Sequence, residues 1–242
     1  MCKTLRKTDM HGERIVKDYL IRYFYERIRN DGILPKILDY RAIDSVEQQL
    51  NGIDTIVYLT NGTSIIIDEK CALKYINTHL PTFAFEIQWN RYGEVSKGWL
   101  VNNALQTQYY FVMWIRGVPI KDSVTGDFLK SYDYVKKMTV ETLSLIELYA
   151  INKHKLLKYL ADNGLTIDEM QSKATWLVKN NEEQYKVNAD LKYFYSNHLA
   201  EKPVNIVISK ELLKLIADSA FEITPNTVKR NGRIIYEAPK KF

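Results

Sequence analysis

Apolar residues first recur at helical spacing over residues 9–29, where Ile15, Tyr19, Tyr23, Phe24 and Ile28 fall on one stripe. The spacing predicts a helix, with Asp9 as N-cap and Asn30-Asp31-Gly32 as its stop. Residues 36–43 fit a short strand or a turn of helix equally well. Then the period shortens. Ile53–Leu59 is a β-rich run, and Asn61-Gly62 signals a two-residue hairpin into a second strand, Ser64–Lys70. Ile65, Ile66 and Ile67 are consecutive, which predicts burial on both faces, as at the centre of a sheet. Residues 71–79 read as a loop or short helix, and Thr82–Trp89 as a third strand. A short helix is expected over 99–107, and a fourth strand over Gln108–Arg116.

From about residue 128 the pattern is helical. Amphipathic stretches cover 131–161 and 166–179, parted by Asn163-Gly164 with Gly164 as a C-cap. Thr166 opens the second stretch, and Glu169 completes a capping box. Val204–Ile208 and Arg233–Glu237 read as short strands flanking a helix at 209–219. The shift at Val124–Asp127 divides the chain into an α/β core over 1–126 and a helix-rich region over 127–242 packed on it. A substrate-recognition role is the expectation for the second region.

Composition changes this picture little. At 242 residues, with 46% hydrophobic and 26% charged, the chain can bury a sizeable core and is neither disordered nor fibrous in character. A net charge of +5 suits a polyanionic partner, because bound phosphates release counterions to Lys and Arg. Cys2 and Cys71 form no CxxC pair, and His11, His79, His154 and His198 are scattered, so zinc ribbons and disulfide frameworks are not supported. Met1–Asp9 lacks an apolar signal-peptide core, and the longest apolar run, Tyr109–Ile115, is too short to span a bilayer. A cytoplasmic protein with no membrane partner is the expectation.

The chemistry concentrates between Asp54 and Lys70. Asp54 opens one strand, and Asp68-Glu69-Lys70 closes the next. Strand side chains alternate, so Asp68 and Lys70 share a face and Glu69 points away. The hairpin sets the start of the first strand opposite the end of the second, which brings Asp54 to Asp68. Two carboxylates beside a lysine suit metal-assisted phosphodiester hydrolysis. Hard oxygen ligands hold the cation, and the lysine steadies phosphate charge or the attacking water. Glu86, in an otherwise apolar strand, is costly unless paired. It is read as a further metal or water ligand, or as a partner of Lys70, from a strand placed beside the Asp68 strand.

At these residues the sequence resembles the PD-(D/E)XK nuclease superfamily, the restriction-endonuclease-like fold, over roughly residues 9–116. Glu13 matches the acid of the first helix, Asp54 the first Asp, and Asp68 with Lys70 the pair two apart; Ile53 stands where the motif name has Pro. The segment 99–116 looks like the family's late helix and strand, and Gln106 and Tyr110 have the Gln-x3-Tyr spacing of its exonuclease-like branches. The resemblance implies an α/β (α+β) fold: a central mixed β-sheet flanked by helices, with a mostly helical C-terminal extension. It implies a Mg²⁺- or Mn²⁺-dependent hydrolase of nucleic acid, with DNA ahead of RNA. Asp54, Asp68, Lys70, Glu86 and Glu13 would form the catalytic set, and Asp54, Asp68 and Glu86 the metal ligands. A homodimer would suit cutting both strands of a duplex. Two other readings remain beside it: a nucleic-acid-binding protein on this fold that does not cut, and an interaction protein with an accidental Asp-Glu-Lys. Tyr193, Phe194 and Tyr195 near Lys186 and Lys192 could stack bases or pack a core, and residues 155–177 resemble a helix-turn-helix or any helical hairpin.

Overall fold

Ile65–Ile67 lie on the third strand of an eight-stranded sheet, where Ile67 is buried but Ile65 and Ile66 are only half-buried, so the burial on both faces that their unbroken apolar run predicts is not reached. The computed structural model describes residues 2–30, 37–91 and 93–239. The strands are β1 (Ile37–Ala42), β2 (Thr55–Leu59), β3 (Ser64–Cys71), β4 (Thr82–Arg91), β5 (Glu94–Lys97), β6 (Tyr109–Gly117), β7 (Leu143–Asn152), β8 (Gln184–Lys186), β9 (Leu191–Tyr195), β10 (Val204–Ser209), β11 (Ser219–Ile223), β12 (Thr227–Arg230) and β13 (Arg233–Glu237). The large sheet runs β1-β2-β3-β6-β7-β11-β12-β13, and a second sheet runs β5-β4-β10-β9-β8. β1, β2 and β3 form an antiparallel meander, and β6 lies parallel to β3. All other pairings are antiparallel, so the large sheet is mixed.

The first helix, α1 (Cys2–Leu20), passes through a π-turn at Ile21–Tyr25 into α2 (Glu26–Asn30). Asp9 therefore lies inside the helix rather than capping it, and of the expected stop signal Asp31 and Gly32 lie outside the described residues. The π-turn has a packing reason. Ile15, Tyr19, Phe24 and Ile28 are all buried, and the step of five from Tyr19 to Phe24 stays on one face only if one residue is absorbed. This face, with α4 (Ser131–Lys137), covers one side of the large sheet over Ile67, Phe111, Met113 and Leu148. The other side, through Tyr110, Val112 and Trp114, packs against the second sheet and the helices α5 (Lys153–Asp162), α6 (Ile167–Asn180) and α7 (Lys210–Ile216). A small helix, α3 (Val46–Leu50), leads into Asp54.

The fold is thus mixed α/β with a large mixed sheet flanked by helices, and several local expectations need correction. The stretch 131–161 is not one helix, because β7 occupies Leu143–Asn152. Leu143, Ile146, Leu148 and Ile151 of β7 are all buried, on both faces. A strand buried on both faces cannot be told from a buried helix by periodicity. Residues 99–107 form turns, pinned by the burial of Leu100 and Val101. β4 pairs with β10 and β5 rather than beside the Asp68 strand. The hairpin closes with Leu59 N donating to Thr63 O, so Thr60, Asn61 and Gly62 form a three-residue loop. Among the described residues, 127–242 contribute β7–β13 as well as helices, and both sheets draw strands from either side of residue 126. No described helix is long and apolar enough to cross a membrane.

Candidate active site

The β2–β3 hairpin sets Asp54 against the exit of β3. Its backbone N–H donates to Ile67 O at 2.9 Å, and its Oδ2 accepts from Glu69 N at 2.7 Å. Asp54 thus brackets Asp68 on the strand beside it, and its side chain replaces the ladder partner that β2 no longer supplies. Burial first, and then the negative charge of Asp68, push the Asp54 carboxyl up to about 8, with Lys70 pulling against them. A hydrogen bond with Asp68 adds to the rise. A protonated Asp54 can be the donor of that bond.

Asp68 is buried, and its Oδ1 holds the Lys70 Nζ at 2.6 Å. Its Oδ2 is also buried and meets no fixed donor among the described residues. Burial alone would lower the Lys70 ammonium; Asp68 and Asp54 beside it reverse that and raise it. The ammonium also lies 5.3 Å from the centre of the Trp99 ring, within cation–π range. Asp68 and Lys70 share a face, as strand alternation requires.

Glu69 turns to the other face. There it accepts from the Tyr25 hydroxyl at 2.6 Å and the Thr55 hydroxyl at 2.8 Å, which counter the rise that burial imposes on it. Each charge-assisted bond of this kind is worth about 1.5–3 kcal/mol, so Glu69 ties the α1–α2 turn to the sheet.

Glu13, on α1, lines a cleft of about 360 Å³ together with Asp54, Glu69 and Lys70. Burial raises its carboxyl while Lys70 lowers it. Glu86 is brought toward Lys70 from the second sheet. Its carboxyl is pushed up to about 7 by burial and by Glu201, against Lys70 and a hydrogen bond from the Trp99 backbone. Its backbone oxygen accepts from Leu100 N at 3.1 Å, which fixes the 98–100 turn over β4.

Three neighbours complete the surroundings, and of these Tyr110 alone carried a signal in the sequence, its Gln-x3-Tyr spacing with Gln106. Lys153 is buried at the start of α5, donates to Asn102 O at 3.3 Å and feels the charge of Asp68. Tyr110 pairs in register with Asp68, and its hydroxyl donates to Trp99 O at 3.1 Å. Trp99 itself stands over Lys70. Lys153 and Trp99 reach the site from elements distant in sequence, so no local spacing could mark them.

Among the described residues no three His, Cys, Asp or Glu side chains are grouped to hold a metal ion. The Asp54–Asp68 pair nonetheless has the chemistry of a hard-cation site. It sets two carboxylates side by side, one with a buried oxygen that meets no donor among the described residues and the other raised by burial and then by its neighbour's charge. Mg²⁺ is commonly bound through one or two carboxylates, the rest of its shell being water and phosphate oxygen. No protein-family model, curated protein or solved structure matches the chain.

Proposed function

We propose that this protein is a divalent-metal-dependent nuclease with a restriction-endonuclease-like core, hydrolysing phosphodiester bonds of nucleic acid, DNA in preference to RNA. The observation that carries this reading is the meeting of Asp54, Asp68 and Lys70 at the exit of β3, with Asp68 Oδ2 buried and without a fixed donor. The order helix, three-strand meander, then a strand parallel to the third supports the fold assignment. One departure is that the β3–β6 crossover carries β4 and β5 of the second sheet rather than a helix.

Asp54 and Asp68 are the residues that would hold Mg²⁺ or Mn²⁺. Such an ion supplies a Lewis acid and a bound water of lowered pKa. The chain's own groups do the rest. Lys70 keeps a positive charge beside Asp68, where it can steady an incoming phosphate. Glu86, pushed up to about 7, can accept or return a proton near neutral pH, and burial raises the Glu13 carboxyl beside Lys70 as well. Glu69 fixes the strand.

A second reading, nucleic-acid binding without cleavage, is favoured by the lack of a three-ligand group among the described residues and by the closed Lys70–Asp68 ion pair. The two readings are separated by incubating plasmid, linear and single-stranded substrates with Mg²⁺ or Mn²⁺. Metal-dependent cutting by the wild type is expected, falling at least about a hundredfold in Asp68→Ala and Lys70→Ala. Binding without cutting on every substrate would select the second reading.

A further inference from the structure

Lys97 ends β5, and the four residues after it run to the active-site wall: Gly98 N donates to Ile87 O at 2.7 Å, and Trp99 faces Lys70. On its outer side the same segment borders a groove of about 520 Å³ between the 97–103 turns, α5 and the start of α6. The polar groups along that groove are Lys97, Asn103, His154, Lys158, Thr166 and Gln171, against one carboxylate, Asp168. Lys158 also holds Asp162 at 2.9 Å. His154 directly follows Lys153, whose ammonium reaches Asn102 and the field of Asp68. Groove and proposed active site therefore share a wall, the 97–103 segment, and a corner, the first turn of α5.

We propose that this groove holds the sugar–phosphate backbone of the substrate strand, with Lys97 and Lys158 as phosphate contacts and Asn103 and Gln171 as hydrogen-bond donors. The proposal rests on the nuclease reading for the identity of the substrate. Lys97 and Lys158 are balanced by Asp168 on the groove and Asp162 beside Lys158, so the grouping of donors, not net charge, selects the occupant. Exposed lysines with amide donors beside them suit a chain of phosphates. The position selects the direction: a strand lying here is led past Trp99 toward Asp68 and Lys70.

The test uses the full-length protein and a fluorescein-labelled single-stranded 20-mer, with anisotropy read over a series of salt concentrations in EDTA. Cleavage of the same oligonucleotide in Mg²⁺ is measured separately. Lys97→Ala/Lys158→Ala is compared with Lys121→Ala/Lys214→Ala, which removes the same charge from exposed sites on other elements. The groove variant is expected to bind on the order of tenfold more weakly at moderate salt, with the slope of log K against log salt reduced by about 2, one per lysine. The control pair should change neither. Equal effects in both pairs, or none in the groove pair, overturn the proposal. Weakened binding in the groove pair beside a wild type that never cuts keeps the groove and overturns hydrolysis. Metal-dependent cutting that the groove pair leaves untouched keeps hydrolysis and overturns the groove. A wild type that binds no oligonucleotide overturns both.

Discussion

Asp54 is where structure and chemistry pull against each other. The unfolded chain releases its proton near pH 4, whereas the folded chain keeps it to about pH 8. Native stability contributed by this group is therefore complete below about pH 4 and is lost as pH rises toward 8. Asp54→Asn keeps an acceptor for Glu69 N and removes the charge. Its thermal stability in EDTA should match the wild type near pH 4 and exceed it by on the order of 2 kcal/mol at pH 8. Under the proposed nuclease function the same substitution should abolish cleavage. Mg²⁺ should raise the melting temperature of the wild type and leave that of the variant unmoved, since only the native wild-type pair would bind it. A variant less stable than wild type at pH 8 would refute this account of Asp54. Asp68 and Lys70 were readable from two-residue spacing on one strand. Lys153 and Trp99 were not, because their approach is made by chain segments that are distant in sequence.

At the scale of elements, the hairpin does most to assemble the site, and the 97–103 turns close it. Gly98 is the tightest point of that closure. A Cβ added there would meet the Glu86 carbonyl and lie 2.7 Å from the Ile87 carbonyl carbon, both backbone. Gly98→Ala must lift the turn from β4 and carry Trp99 away from Lys70. The expected result is a loss of about 1–3 kcal/mol in chemical denaturation and a shift in tryptophan emission. An unshifted spectrum with unchanged stability would show that the turn is not pinned here. The capping box at Thr166 and Glu169 forms as its spacing predicts, with Glu169 N on the Thr166 hydroxyl at 3.3 Å. By contrast β7 was hidden, because Leu143–Asn152 buries side chains on both faces and its apolar spacing also fits a helix.

For the whole molecule, β6 and β7 pair along Tyr109–Gly117 and join the two halves of the chain in one sheet. β4 and β10 do the same in the other. A fragment of residues 1–126 would expose the fully apolar flank of β6 and lose the second sheet's partner strands. It is expected to show no cooperative thermal transition by circular dichroism and to aggregate, whereas the full chain melts cooperatively. A fragment that melts cooperatively would mean the first half folds alone.

The sequence by itself determined what is local. Alternation along Ser64–Lys70 assigned Asp68 and Lys70 to one face and Glu69 to the other. The Asn61-Gly62 turn brought Asp54 to their side. Helical spacing placed Glu13 on the first helix. Each follows from one element or one tight turn, where geometry is fixed within a few residues. The tertiary structure decided what depends on pairing at a distance. It put β6 parallel to β3, moved Glu86 into a second sheet facing Lys70, and set Lys153 near Asp68. Those outcomes turn on which buried strand pairs with which, and apolar strands of similar length carry no local mark of their partners.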